Sequence, residues 1–140
     1  MTNIPLQILR IDSNGYHLML QVLINGLKAN ALMDTGASRT ILDKNRVDYY
    51  LDHPTMKAYD KFFSGLGNER IETFSTEIGS VGFGGVELTA QEVVVIDLSS
   101  INHSYALFDL PKIDLVLGCD FLLKLNAVID CSKRSLVVNI

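Results

Sequence analysis

The stretch Ala31-Leu32-Met33-Asp34-Thr35-Gly36-Ala37-Ser38 places an aspartate at the end of an apolar run. Such a position is unusual, because burying a carboxylate without partners is costly. Gly36 permits backbone geometry closed to other residues and lets another chain approach closely, and Thr35 can supply a hydroxyl hydrogen bond that ties the loop down. Asp-Thr-Gly alone arises by chance in roughly a few per cent of chains of this length. The tripeptide therefore suggests a special role for Asp34, and the surrounding sequence has to show whether Asp34 has one.

The residues before this segment predict a β-hairpin. Four apolar residues alternate along one face of the first strand: Leu18, Leu20, Val22 and Ile24. Asn25-Gly26 then supplies the two residues that a type I′ turn prefers. A second strand, at about 27–33, returns from the turn and ends next to Asp34.

The rest of the chain predicts further strands. A second hairpin is expected at Gly84-Gly85, between strands at 71–83 and 86–98. Residues 99–110 are predicted to form a loop. A short strand follows at 113–117, and Gly118 stops it.

Two short helices and two more strands complete the prediction. Asp43 is a plausible N-cap of a helix that ends before His53, and Asp120 can cap a second helix that runs through Leu125. Further strands are expected at 127–131 and 135–140. The fold class is therefore mostly β: a small closed β-barrel with one or two short helices. We expect residues 1–140 to form one domain, which has enough residues to build its own core.

Composition and charge exclude several classes of protein. Apolar residues make up 48% and charged residues 20% of the chain, as in a folded protein and unlike a disordered one. The formal net charge is −4 and no basic run exceeds Lys133-Arg134, so we expect no nucleic-acid partner. No apolar stretch is long enough to span a bilayer, and residues 1–10 do not follow a secretory signal pattern. We therefore expect a cytoplasmic protein with no membrane partner.

The cysteines and histidines predict neither a disulfide framework nor a metal site. Cys119 and Cys131 could form only one bridge, and we interpret them as two small, reduced, buried residues. The histidines at positions 17, 53 and 103 stand far apart, with no cysteine or carboxylate at ligand spacing. No metal and no cofactor are expected.

A second segment, Asp114-Leu115-Val116-Leu117-Gly118-Cys119-Asp120-Phe121-Leu122, begins 80 residues after Asp34. Together the two segments resemble the retropepsin-like aspartic proteases. In that family an apolar-apolar-Gly segment passes beneath the Asp-Thr-Gly loop, and a short helix follows it. Val116-Leu117-Gly118 and the helix at Asp120 take those places here. The resemblance extends over residues 22–43 and 113–131, and it implies a retropepsin-like barrel that hydrolyses peptide bonds.

The mechanism that the resemblance implies uses two aspartates. Two carboxylates about 3 Å apart share one proton. The ionised one takes a proton from water while the neutral one hydrogen-bonds the scissile carbonyl, without a metal or a covalent intermediate. This chain has one Asp-Thr-Gly: Asp130 is followed by Cys131-Ser132, which lacks the glycine, and we interpret it as structural. We therefore expect a homodimer in which Asp34 of each copy acts on a protein or peptide substrate.

The resemblance also assigns roles to the residues around Asp34, the catalytic residue. Thr35 and Gly36 are expected to support the site. The residues expected to bind substrate lie in the same loop and in a glycine-rich turn at 64–68, where the family has its flap: Gly36, Ala37, Ser38, Arg39, Gly65, Leu66 and Gly67.

Plainer interpretations stay open beside these roles. Asp34 could be an ordinary turn residue, the turn at 64–68 a plain surface turn, and Arg39 a solvated side chain. Two other functions are compatible with the same pattern. One is a catalytically silent dimeric module that binds extended peptides, and the other is a barrel scaffold with no cleft.

The chain termini carry a further expectation. In the family resembled, they often pair across the dimer as a shared sheet. Leu6-Gln7-Ile8-Leu9 and Leu136-Val137-Val138 are apolar and strand-prone. Proteins normally cover such edges, so we expect a second copy to cover them.

Overall fold

Strands make up most of the regular structure. The computed structural model describes residues 1–59 and 72–140. Within these ranges it has eleven strands: β1 (Thr2–Pro5), β2 (Gln7–Arg10), β3 (Tyr16–Ile24), β4 (Leu27–Met33), β5 (Ile41–Asp43), β6 (Lys57–Ala58), β7 (Phe74–Phe83), β8 (Val86–Ile96), β9 (Leu115–Leu117), β10 (Val128–Asp130) and β11 (Ser135–Val138). The helices are α1 (Val47–Tyr50), which a 3-10 turn at Lys44–Arg46 precedes, α2 (Ser99–Leu107) and α3 (Cys119–Lys124). The predicted mostly β class is confirmed.

Both predicted hairpins are present. β3 and β4 pair antiparallel around Asn25 and Gly26, whose φ angles are 49° and 82°. β7 and β8 pair around Gly84 and Gly85, with φ of 58° and 97°. Positive φ at both central residues is what a type I′ turn requires, and it matches the twist of the strands on either side.

Six strands close into a barrel. The larger sheet has the order β2-β3-β4-β9-β5-β8-β7-β6, and an additional pairing joins β3 to β7. This pairing, of Leu23 with Gly82 and Ile24 with Val81, closes the ring of β3, β4, β9, β5, β8 and β7. Alternate residues of β3, including Val22 and Ile24, are buried in the barrel core. The predicted closed β-barrel is confirmed.

α2 lies where the sequence predicted a loop at 99–110. Tyr105 is its one buried residue. The helix therefore has no row of buried apolar residues at helical spacing by which the sequence could have indicated it. A tertiary contact holds it instead: the Asn102 side chain donates to the carbonyl of Ile113 and accepts from its N–H, at 3.0 and 2.7 Å. In the part of the chain that the structure describes, no helix is long and apolar enough to cross a membrane.

The two other helices lie close to their predicted positions. The Asp43 side chain accepts from the Asn45 N–H at 3.1 Å, so its predicted capping role is confirmed. The cap of α3 is Gly118, and Asp120 lies in the first turn of that helix. The prediction of Asp120 as the cap is therefore wrong. Both cysteines are free; Cys119 is half-buried and Cys131 is exposed, which corrects the prediction of both as buried residues.

The C-terminal strand is an interior strand of a second, three-stranded sheet. Its order is β1-β11-β10, with both pairings antiparallel. Leu136 and Val138 of β11 are 0% exposed, and β2 pairs with β3. We expected residues 136–138 to form an edge strand that a second copy covers. This expectation is wrong, because β1 and β10 of the same chain already pair with them.

We predict that deleting residues 136–140 unfolds the protein. The deletion removes the central strand and two fully buried apolar side chains, Leu136 and Val138. Buried leucines contribute about 2–5 kcal/mol each, a large part of the stability of a small domain. We expect no cooperative thermal transition in circular dichroism, whereas deletion of the half-exposed Ile140 alone should leave Tm unchanged. A folded chain of 135 residues that had only lost its dimer would contradict this prediction.

Candidate active site

Asp34 lies where β4 ends beside β9. β4 and β9 are parallel, with Met33 paired to Leu117. The Asp34 N–H continues this ladder and donates to the carbonyl of Leu117 at 3.0 Å. Since Met33 is the last residue of β4, the Asp34 side chain projects from the start of the loop that leads to β5, and it is exposed.

The loop after β4 orients the Asp34 carboxylate. Oδ1 accepts a hydrogen bond from the Gly36 N–H at 2.9 Å, and the Ala37 N–H donates to the Asp34 carbonyl at 3.1 Å. In the described ranges Oδ2 accepts no hydrogen bond. One carboxylate oxygen is thus fixed by the backbone, and the other makes no hydrogen bond to residues 1–59 and 72–140.

Gly118 and Cys119 lie directly beneath this loop. The Cys119 N–H donates to the Ala37 carbonyl at 2.9 Å, and its thiol donates to the Thr35 carbonyl at 3.0 Å. A Cβ added at Gly118 would lie 2.7 Å from the Arg39 carbonyl carbon and 2.8 Å from the Ala37 carbonyl oxygen. The expectation that the apolar-apolar-Gly segment passes beneath the Asp34 loop is confirmed.

Thr40 and Asp120 lock the end of the loop onto α3. The Thr40 side chain is fully buried; its hydroxyl donates to Asp120 Oδ1 at 2.7 Å and accepts from the Gly118 N–H at 3.0 Å. Asp120 Oδ1 also accepts from the Phe121 N–H at 2.9 Å. Sequence reasoning missed Thr40, and its one local signal is a polar residue at the boundary between the loop and an apolar strand.

Arg39 is held between β8 and α3. Its guanidinium lies 3.3 Å from Glu92 Oε1 and 3.6 Å from Asp120 Oδ2, and 5.9 Å from the centre of the Tyr59 ring. Its side chain is 30% exposed. Partly exposed ion pairs contribute little to stability, and these two hold the Arg39 guanidinium beside β8 and α3.

The sequence-predicted site residues divide into two groups. Residues 34–39 come together in the loop between β4 and β5. Within the described ranges the Thr35 hydroxyl makes no hydrogen bond, and the loop is tied instead through the Thr35 carbonyl and Cys119. The remaining predicted residues, Gly65, Leu66 and Gly67, lie outside the described residues.

Asp130, the other aspartate after an apolar pair, belongs to the turn between β10 and β11. Its Oδ1 accepts from the Ser132 hydroxyl at 2.6 Å and the Lys133 N–H at 3.0 Å. These bonds, the hydroxyl first, lower the pKa of Asp130 below its ordinary value. A charged carboxylate bonded within its own turn fits the structural role that the sequence indicated.

Barrel and loop together define the retropepsin-like fold. Solved structures with this fold superpose on the chain. The retropepsin-like aspartic protease from Rickettsia conorii has a TM-score of 0.61 and 20% identity, over 99% of this chain and 93% of that one. The EIAV protease complexed with the inhibitor HBY-793 has a TM-score of 0.60 and 24% identity, over 85% and 97%. The retroviral protease-like domain of Ddi1 from Leishmania major has a TM-score of 0.58 and 20% identity, over 88% of each chain.

Sequence comparison gives the family. The aspartyl protease family model matches residues 20–121, and the chain belongs to this family. It is 28% identical over 121 residues to DNA damage-inducible protein 1 of Chaetomium globosum, and 29% identical over 121 residues to the protein of that name in Neurospora crassa. These matches cover 86% of this chain, but the chain spans only about a quarter of the length of either relative (24% and 25%).

Proposed function

We propose that this protein is an aspartic endopeptidase whose catalytic residue is Asp34. The observation that supports it best is the setting of the Asp34 carboxylate. The side chain is exposed at the end of β4, and Oδ1 is fixed by the Gly36 N–H at 2.9 Å. An ordinary turn aspartate does not need β9, Gly118 and Cys119 packed beneath it. This packing therefore favours a reactive role for Asp34 over that of a plain turn residue.

The proposed reaction needs a second carboxylate. Asp130 is bonded within its own turn, and residues 1–59 and 72–140 contain one Asp-Thr-Gly segment. A second copy related by a two-fold axis would supply the other Asp34. The Thr35 hydroxyl, which makes no bond in the described ranges, would then face the partner loop near the same axis.

Each proposed step follows from the chemistry of such a pair. Two carboxylates about 3 Å apart cannot both be ionised, so they hold one shared proton. The ionised Asp34 removes a proton from a water molecule placed between them. The protonated one donates a hydrogen bond to the scissile carbonyl and stabilises the oxyanion that forms as water attacks. The C–N bond of this tetrahedral intermediate then breaks, and the leaving amine takes a proton from the carboxylate pair, which returns to one shared proton.

The substrate would lie as an extended chain across the Asp34 loop. The exposed backbone of Gly36 and Ser38 is open to close approach by a peptide. Ala37 and Arg39 flank it, and we propose that both line the groove, although the ion pairs of Arg39 restrict how far it can reach. On sequence grounds alone, the turn at Gly65–Gly67 is proposed to cover the bound chain as a flap.

Two assays together test this function. Turnover of a casein digest should be detected, and the peptide inhibitor pepstatin should bind and stop it. Pepstatin binding without turnover would indicate the catalytically silent peptide-binding module. Neither binding nor turnover would indicate a barrel scaffold and would overturn the proposal.

We predict a bell-shaped pH profile of cleavage centred at roughly pH 4 to 6.5. In pepsin-like enzymes a Ser or Thr three residues after the catalytic aspartate donates a hydrogen bond that favours the ionised pair. Ala37 stands at that position and has no donor to offer. Ala37→Ser should therefore move the acid limb to lower pH, because the new hydroxyl keeps the pair ionised at higher proton concentration.

The measurement is cleavage rate against pH for the wild type and Ala37→Ser. Ser38→Ala is the matched control, because Ser38 lies one position further along the loop, and its acid limb should not move. A wild-type optimum near pH 2, or an unchanged limb in Ala37→Ser, would contradict the argument.

A further inference from the structure

The sheet carries a second apolar cluster on the face opposite to the barrel core. Its buried members, which we call the outer cluster, are Leu9, Met19, Leu32, Leu98, Tyr105, Ile113 and Val116. They come from β2, β3, β4 and β9, and from α2 and the segments beside it. Ala37 of the Asp34 loop is half-buried against them. The outer cluster therefore connects α2 to the candidate active site.

The Asp34 side chain lies on the same face of the sheet as the outer cluster. Side chains along a strand alternate between the two faces. Along β4, Ala31 faces the barrel core, Leu32 belongs to the outer cluster, and Met33 packs against the core again. The Asp34 N–H continues the ladder with β9, so the backbone is still extended here. The carboxylate therefore follows Leu32 on the outer face.

His17 lies on this face as well, on the strand next to Asp34. The pairing of β3 with β4 ends at Met19 and Leu32. His17 and Asp34 are the next residues on the same face of each strand, so the register extended by two positions puts their side chains opposite each other. On its other side His17 pairs with Leu9, a member of the outer cluster.

Tyr105 of α2 holds the His17 ring in place. The two rings stack, with their centroids 5.8 Å apart and their planes at 28°, and the Tyr105 hydroxyl is hydrogen-bonded to His17 Nδ1. Tyr105 is buried, and in the part of the chain that the structure describes its hydroxyl has no other partner. A buried donor without an acceptor is costly, so we assign Tyr105 as the donor and Nδ1 as the acceptor.

This assignment leaves the proton of the His17 ring on Nε2. His17 is exposed, and Nε2 makes no hydrogen bond to residues 1–59 and 72–140. The imidazolium form also carries a proton on Nε2. In either form, His17 presents an unused N–H donor on the face that carries Asp34.

We propose that His17 determines substrate specificity: its Nε2–H donates to a carboxylate or carboxamide oxygen in the side chain of a substrate residue next to the scissile bond. Tyr105 is then a positioning residue, because it acts on the substrate only through His17. This inference rests on the proposed peptidase function and names the substrate class, which is peptides with glutamate or glutamine at the cleavage site.

The placement of His17 favours a substrate side chain over the substrate backbone. The scissile carbonyl has to lie within hydrogen-bond reach of the Asp34 carboxylates. His17 is one strand further away, and neighbouring strands are about 4.8 Å apart. The long side chain of a residue that flanks the scissile bond spans this distance. In the proposed homodimer one His17 lies on each side of the scissile bond, so the preference applies to both flanking residues.

Peptides that differ in one residue measure this preference. Cleavage sites in a casein digest are identified by mass spectrometry, and one cleaved peptide is synthesised with glutamate, glutamine or leucine before the scissile bond. Glutamine and leucine are similar in size, but only glutamine has an acceptor oxygen. The kcat/KM of the glutamate and glutamine peptides should exceed that of the leucine peptide by about tenfold, the effect of one hydrogen bond.

Substitutions of His17 and Tyr105 test which residues cause the preference. His17→Leu should reduce the ratio of glutamine to leucine kcat/KM to about one. His17→Gln should retain most of it, because the amide can accept from Tyr105 and donate to the substrate at the same time. Tyr105→Phe should lower the ratio by about threefold, since a freed His17 side chain has to be immobilised when substrate binds.

His103→Leu is the matched control for His17→Leu. It makes the same substitution at an exposed histidine of α2 and should keep the wild-type ratio. Each ratio compares two peptides on one preparation, so loss of folded protein cancels. If His17→Leu does not fold because Tyr105 loses its acceptor, the double variant His17→Leu with Tyr105→Phe removes both partners and should also give a ratio of about one.

The outcomes distinguish this inference from the proposed function. A wild type that cleaves peptides with a ratio near one, or a ratio that survives in His17→Leu, would overturn the role of His17 and leave the aspartic endopeptidase standing. A wild type that cleaves no peptide would overturn both. A preference that is lost in His17→Leu and kept in His17→Gln and His103→Leu would support the inference.

Discussion

Asp34→Asn is expected to lower peptide cleavage by at least about a thousandfold, the scale of a lost acid–base group, while fold and dimer remain. Asparagine has nearly the shape of aspartate, and its carbonyl oxygen can still accept the Gly36 N–H bond that Asp34 Oδ1 accepts now. The amide cannot take a proton from water, however. The substitution also removes charge repulsion at the proposed axis, so the dimer should be at least as tight as that of the wild type.

The assay for Asp34→Asn combines cleavage rate, Tm and oligomeric mass on one preparation. Asp130→Asn is the matched control: it follows an apolar pair as Asp34 does, but its bonds go to its own turn. It should cleave at close to the wild-type rate. Activity in Asp34→Asn above about a thousandth of the wild-type rate, with both variants folded, would remove Asp34 from the reaction.

The parts of the fold that were predictable depend on local requirements. A type I′ turn needs two residues that accept positive φ, and Asn25-Gly26 and Gly84-Gly85 are such pairs. α2 has no comparable signal, because Tyr105 alone is buried and the contact between Asn102 and Ile113 is tertiary. Its serines and asparagine also favour turns over helix interiors when they are considered locally.

The prediction for the C-terminal strand was wrong for a different reason. β11 is an apolar strand. Its sequence pattern is the same whether the neighbouring strand comes from the same chain or from another one. Its neighbour β1 is at the opposite end of the sequence, so the pairing of Ile4 with Leu136 depends on how the whole barrel closes. The expectation borrowed from the family placed residues 136–138 at an open edge, whereas the structure makes β11 the central strand of its sheet.

The candidate site shows the same division between local and tertiary information. Asp34, Thr35 and Gly36 are adjacent in sequence, and together with the apolar residues before them they form a pattern that can be recognised locally. Thr40 acts by bonding Gly118, 78 positions away, and Arg39 by bonding Glu92 and Asp120. A threonine or an arginine next to a loop has many ordinary uses, and only the folded chain reveals these partners.

Gly118→Ala should reduce cleavage by about a hundredfold or more, and lower stability by about 1–3 kcal/mol. Gly118 has φ of −97°, which any residue can adopt, so conformational strain is not the cause. The cause is space: the new Cβ would lie 2.7–2.8 Å from backbone atoms of Ala37 and Arg39. Backbone cannot rotate away as a side chain can, so the Asp34 loop has to shift.

A shifted loop should harm catalysis more than folding. The Gly118 N–H bond to the Thr40 hydroxyl and the Cys119 bonds to Thr35 and Ala37 would all be displaced together. A misplacement of about 1 Å in a catalytic group can cost a hundredfold in rate even where the fold survives. We therefore expect the variant to remain folded, with a lower Tm, and to lose far more activity than its unfolded fraction accounts for.

Gly15→Ala is the control that distinguishes crowding against backbone atoms from crowding against a side chain. Its Cβ would lie 2.9 Å from Asp12 Oδ1, almost as close as the contacts at Gly118, but that atom ends an exposed side chain. Asp12 can turn away because the exposed hydrogen bond that Oδ1 accepts from the Asn14 N–H, at 2.9 Å, can be replaced by one from water. Gly15→Ala should therefore keep both Tm and cleavage rate near those of the wild type. If Gly118→Ala behaved in the same way, the backbone beneath Asp34 would be adaptable, and the close packing of Gly118 would not be what positions the Asp34 carboxylate.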